Sequence, residues 1–199
     1  MRLPQSSILL PVILLLVFGG VVLLVGTTRA ATETPAYQVI RVDGKFEIRD
    51  YPALTVAITA MDRDGMNDSF RKLFRFITGG NEGAKKIEMT APVLIGTTKD
   101  QRTMSFIMPK KAVENGVPQP AGDGVTLGKV EAARWAVLRW GGSRTAQNEQ
   151  GASAKLKAWL DAQKITGKGE PTFAYYDPPW TPVFLRRNEV LWRIDKPQQ

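Results

Sequence analysis

From Tyr37 onward, apolar and polar residues alternate in short runs broken by turns. Tyr37–Arg41 and Phe46–Tyr51 show period-two alternation on either side of Asp43-Gly44, the pattern of a β-hairpin. Pro52 interrupts, and Leu54–Ala60 continues as a third strand. The period then changes. Phe70, Leu73, Phe74 and Ile77 recur at i, i+3, i+4 and i+7, so a helix capped by Asp68 or Ser69 and running to about Thr78 shows them on one face. Gly79-Gly80 stops it. Two strand-like runs follow, Ile87–Thr97 and Thr103–Met108.

The order then repeats. Val125–Val130 and Arg134–Trp140 read as strands, and Gly141-Gly142 breaks the run. A helix spans about Ala152–Gln163, with Leu156, Trp159, Leu160 and Gln163 on one face. Thr172–Tyr176 and Val183–Arg187 read as closing strands, ending in Glu189–Ile194. The halves share an order of elements rather than residue identity. The pattern predicts an α+β fold: a distorted antiparallel β-barrel with two helices, built from two pseudo-repeated strand-helix-strand-strand units. Asn115–Gly124 (NGVPQPAGDG) is a proline- and glycine-rich loop joining the halves of one domain, residues 37–195. Residues 196–199 form a tail.

The first thirty residues follow a different rule. Leu3–Thr28 carries no charge, and Ile8–Val25 is almost wholly apolar. Arg2 supplies a positive n-region, and Thr28-Arg29-Ala30-Ala31 is a candidate cleavage site. Eighteen residues at about 1.5 Å each reach roughly 27 Å, near a hydrocarbon core of about 30 Å. The length favours an anchor over a cleaved leader, because signal h-regions usually run about 7–15 residues. Residues 1–30 therefore read as a signal peptide or transmembrane anchor, and 31–36 as a linker. In both readings the domain is exported, to the periplasm or the extracellular side. It is membrane-anchored through residues of about 8–28, or secreted and soluble if the leader is cleaved.

Composition narrows the chemistry. The chain has no cysteine and no histidine. That excludes disulfides, thiolate metal sites, covalent haem attachment, a Ser-His-Asp hydrolase and any His-ligated haem. The net charge is +8 over 199 residues; Arg2 and Arg29 are the only charges among the first thirty, so the remainder carries +6. This favours anionic partners, but lysines and arginines are scattered, and no nucleic-acid motif is present.

Three segments resemble the SOUL haem-binding family. They are Phe70–Asn81 followed by Lys86–Val93 (KIEMTAPV), Met104–Lys110 (MSFIMPK) and Tyr176–Val190 (YDPPWTPVFLRRNEV); Glu47–Pro52 fits as well. The resemblance implies the same two-repeat barrel, related to effector-binding domains. It also implies reversible, non-covalent binding of haem or another tetrapyrrole. Some members of that family are proposed to use an axial histidine, which this chain lacks. The resemblance then leaves iron unligated by protein or held by Met66, Met89 or a tyrosine, with the ring in an apolar groove and basic residues on its propionates.

The candidate groove comprises Met66, Phe70, Arg71, Phe74, Arg75, Met89, Tyr176, Trp180 and Arg186. Each has a plainer reading. The Phe70–Ile77 stripe packs a core, Arg71 and Arg75 form a solvated helix face, and Met89 fills a core. Tyr176 and Trp180 brace a corner around Pro178-Pro179, and Arg186–Glu189, which could supply a polar cluster at the cleft, more simply form an exposed strand end. A catalytic reading rests on Glu88 or Glu189 as a general base whose pKa burial raises, with no nucleophile paired to it. The expectation is a non-catalytic tetrapyrrole binder. The alternatives are a carrier or sensor for another amphipathic ligand, a small-molecule hydrolase, and a membrane-tethered interaction protein with no small ligand.

Overall fold

The computed structural model describes residues 32–61, 65–98 and 101–195. The leader or anchor segment and the tail at 196–199 lie outside the described residues. Among the described residues, no helix is long and apolar enough to cross a membrane.

Residues from Thr34 onward form one compact unit. Its strands are β1 (Gln38–Asp43), β2 (Phe46–Tyr51), β3 (Leu54–Ala60), β4 (Val93–Thr98), β5 (Gln101–Ile107), β6 (Thr126–Val130), β7 (Ala133–Trp140), β8 (Gly167–Tyr175) and β9 (Asn188–Ile194). The helices are α1 (Gly65–Ile77), α2 (Lys110–Glu114) and α3 (Ala146–Ala162). The α+β class and the hairpin at Asp43-Gly44 are as the pattern predicts; Gly44 takes a positive φ of 58°, the left-handed turn conformation that glycine allows.

Several bounds differ. α3 begins at Ala146, six residues before the expected start, because Thr145 caps it by accepting from the Asn148 N–H at 3.2 Å. The expected strand at Val183–Arg187 is a 3₁₀ turn, Val183–Leu185, which Pro182 enters. The run from Ile87 pairs as a strand only from Val93. The sheet is antiparallel and not closed, and α2 is a third, short helix.

The strand order is β1-β2-β7-β9-β8-β4-β5-β3-β6. It is symmetric about the β8–β4 pair. On one side stand β4-β5-β3-β6, on the other β8-β9-β7-β2. Each half of the chain lends the other a strand: β2 pairs with β7, and β6 pairs with β3. Under this symmetry Leu94 of β4 answers to Ala174 of β8, and Ser105 of β5 answers to Glu189 of β9.

The sheet buries both faces. On one, α1 covers Ala57, Ile95, Met104 and Phe106, and α3 covers Ile48, Ala136, Leu138 and Val190. On the other, Tyr51, Val137, Ala174 and Leu191 pack with Leu54, Leu94, Trp135 and Tyr176. A cavity of about 70 Å3 there is lined from β2 through β9, so the sheet curls around it. This is the barrel-like interior, achieved without closing the hydrogen-bonded ring.

Candidate functional site

The expected groove residues fall in three places. The first is α1. Its buried face is Ser69, Leu73, Phe76 and Ile77, rotated from the expected stripe. The Ser69 hydroxyl donates to Ala60 O at 3.2 Å, which lets a small polar residue face the sheet. Phe70 and Phe74 are thereby turned to the helix edge, 36% and 48% exposed. Their rings stack at 5.9 Å, and Phe70 meets Phe106 edge-on at 5.2 Å.

Arg71 and Arg75 form the adjacent i, i+4 row. Arg71 pairs with Asp68 at 3.0 Å, as does Lys72 at 2.9 Å, and Lys72 holds that carboxyl below its ordinary pKa. Among the described residues no carboxylate pairs with Arg75. Met66 and Met89 are half-buried and pack against the core cluster under α1. Asn81, buried just past the helix, donates to Phe76 O and Lys85 O at 2.7 Å each and accepts from the Lys85 N–H at 2.9 Å, fixing the helix end. α1 thus carries two stacked, half-exposed aromatics beside a cationic row, on a firmly anchored frame.

The second place is the β8–β9 loop. Trp180 is 83% exposed there. The Arg186 guanidinium donates back to Thr181 O at 2.8 Å and Pro179 O at 2.5 Å.

The third lies inside the curled sheet. Tyr175 faces the helices, donating to Glu149 of α3, so Tyr176 faces the interior. Tyr176 donates to Glu189 Oε2 at 2.9 Å. Arg49 grips the same carboxylate with Nη1 at 2.8 Å and Nη2 at 3.2 Å, and Arg187 Nη2 reaches Oε1 at 2.6 Å. Arg49 also bonds Glu47 at 2.7 Å and Tyr51 Oη at 3.1 Å, with its guanidinium 4.4 Å from the Tyr37 ring. Arg187 lies 3.9 Å over the Tyr176 ring.

The sequence reading missed Arg49, and of its two readings of Arg187, Asn188 and Glu189, a polar cluster at the cleft or an exposed strand end, it preferred the exposed end. Asn188 and Glu189 are fully buried. The reading of Glu189 as a general base also reverses. Burial raises its pKa, but the hydrogen bonds and charges of Arg49 and Arg187 outweigh burial and hold it below the ordinary carboxylate value. A carboxylate so held is a structural counter-ion. Burial also pushes the Tyr51 hydroxyl up to about 12, so it stays protonated. Glu88, the other candidate base, is exposed.

A separate cleft of about 430 Å3 lies between α3 and the β4–β8 strands. Arg102 on its wall bonds Glu149 at 2.7 Å, and Glu170 stands on the rim. Its carboxylates outnumber its one arginine, so it does not suit a dianion. Among the described residues, no group of three or more acidic side chains could hold a metal ion.

Comparison with known proteins supplies the context. Residues 32–193 match the family model described as SOUL heme-binding protein. No curated protein matches the chain. The fold resembles the crystal structure of the EcmrR C-terminal domain, with a TM-score of 0.54 at 12% identity over 80% of this chain and 98% of that one. EcmrR in a DNA complex gives 0.55 at 14% identity, over 80% of this chain and 58% of that one. A structure described as a hydrolase from Listeria innocua gives 0.51 at 10% identity, over 78% of this chain and 94% of that one. At these identities the likeness shows the fold alone.

Proposed function

The chain belongs to the SOUL heme-binding protein family, and from that premise we propose that it binds haem or a related tetrapyrrole, without catalysis, along the exposed strip of α1. One observation carries the reading: Phe70 and Phe74 are turned out of the core and stacked, directly beside the Arg71–Arg75 row. The residues fit the group. A flat apolar ring gains by covering the two aromatics, and its propionates gain by meeting Arg75, whose charge no described carboxylate claims. Bound haem would supply a redox-active, light-absorbing iron centre. Histidine and cysteine ligation is excluded by composition. Met66 and Met89, the thioethers that the resemblance leaves as possible ligands, both pack against the core.

The test is a haemin titration of the full chain followed by visible absorption. Replacing Phe74 by Ser is expected to weaken haemin about tenfold, the equivalent of roughly 1.4 kcal/mol of lost burial. Arg75→Glu is expected to weaken it comparably at low salt and less at high salt. Unchanged affinity in both variants would remove the site from α1. A second reading, a carrier for another amphipathic ligand, draws on the α3 cleft. Its excess of carboxylate selects a cationic or neutral ligand, and saturable binding of a lipophilic cation that Glu170→Ala weakens would favour that cleft.

A further inference from the structure

The β8–β9 loop, Pro178-Pro-Trp-Thr-Pro-Val-Phe-Leu185, has the physical make-up of a membrane-inserting loop. Trp180 and Phe184 are each 83% exposed, with Val183 at 45% and Leu185 at 37%. Four large apolar side chains on one short loop are costly to leave in water. The loop is also rigid. Three of its residues are prolines. Thr181 N–H donates to Pro178 O at 3.1 Å, Leu185 N–H to Pro182 O at 2.9 Å, and Arg186 N–H to Val183 O at 3.3 Å. Asp177 takes the Arg187 N–H at 2.5 Å, and Arg186 covers two of the loop's carbonyls. Many of its backbone groups are therefore satisfied internally or absent, which lowers the cost of entering a low-dielectric layer.

Charge selects the occupant. No acidic residue lies between Pro178 and Asn188. β7, β8 and β5 all meet this end of the sheet, since Trp140 and Tyr175 pair with Asn188, and Val93 joins Tyr175 to Phe106. Exposed Lys45, Lys111 and Arg139 sit at the same end, Lys45 O accepting from Arg139 N–H. Exposed Glu82, Glu88 and Glu114 stand there too, offset by exposed Lys85, Lys86 and Lys110 of the same segments, so the end keeps an excess of positive charge, electrostatics helps and apolar insertion supplies most of the affinity.

We propose that this loop inserts into an anionic bilayer surface and seats the domain on it, Trp180 at headgroup level and Phe184 among the upper acyl chains. It goes beyond the haem reading, which rests on Phe70, Arg71, Phe74 and Arg75 of α1.

The chain has no cysteine, so Phe184→Cys and Gln101→Cys each place one environment-sensitive label. Gln101 opens β5, pairing with Thr98 at the opposite end of β4 from Val93. Both labelled full-length chains are reconstituted into vesicles of phosphatidylcholine and phosphatidylglycerol, without haemin. The expected result is blue-shifted emission and loss of iodide quenching at position 184, a water-like signal at 101, and restored quenching at 184 when Trp180→Ser is added. Equal shielding at both positions, or at neither, overturns the proposal. Phe184→Ser is also titrated with haemin. Unchanged affinity is expected; a loss of affinity, with position 184 still quenched in vesicles, would assign the loop to the tetrapyrrole and overturn lipid insertion. Since the vesicle arm contains no haemin, it stands or falls separately from the haem reading.

Discussion

Glu189 shows how much one residue depends on partners remote in sequence. It lies in the run Arg-Arg-Asn-Glu, whose local pattern reads as a solvated strand end. Arg49, which neutralises it, is 140 positions away. No spacing rule links the two, and the register of β2 on β7 on β9 had to be known first. Replacing Glu189 by Gln removes the carboxylate shared by buried Arg49 and partly buried Arg187, leaving Arg49 only Glu47, and is expected to cost about 3 kcal/mol in chemical denaturation. The folded-state pKa of Glu189 lies below its unfolded value of 4.5, so its contribution is complete above that value and disappears as pH falls through the folded pKa. Denaturation midpoints measured from pH 7 to about pH 3 should therefore drop more steeply for the native chain than for Glu189→Gln. Parallel slopes would mean that Glu189 does not carry the acid sensitivity.

At the level of the element, periodicity located α1 and missed its rotation. The i, i+3, i+4, i+7 stripe predicted a buried Phe70 and Phe74; the sheet instead took Ser69 and Phe76. A wide apolar stripe has two edges, and only the packing partner decides which is covered. The difference is measurable. Leu73→Ala, in the buried face, is expected to cost about 2–5 kcal/mol. Phe74→Ala, at the exposed edge, is expected to cost well under half as much, and equal losses would restore the original stripe. In α3 the early start was legible in hindsight: Thr145 precedes a run of helix formers, but low apolar content in the first turns hid them. Thr145→Ala should cost about 1 kcal/mol in the same assay.

Across the whole molecule, individual strands were readable and their order was not. Alternation says that a segment pairs, never with which neighbour, and the choice is made by non-local burial that no window of sequence contains. The central β7-β9-β8 strands and the edge strands β1 and β6 differ accordingly. Native-state hydrogen exchange should show slowest exchange in β9 and fastest in β1, all of whose residues are exposed. The traded strands have a sharper consequence. A backbone cut within Asn115–Gly124 would leave an N-terminal piece that holds β2 but lacks β6, and a C-terminal piece in the opposite predicament. Each fragment would carry an unfilled sheet edge shaped for its counterpart. Neither should fold by itself, whereas co-expression should recover the native assembly. Such a protein behaves as an obligate heterodimer whose subunits happen to share one chain.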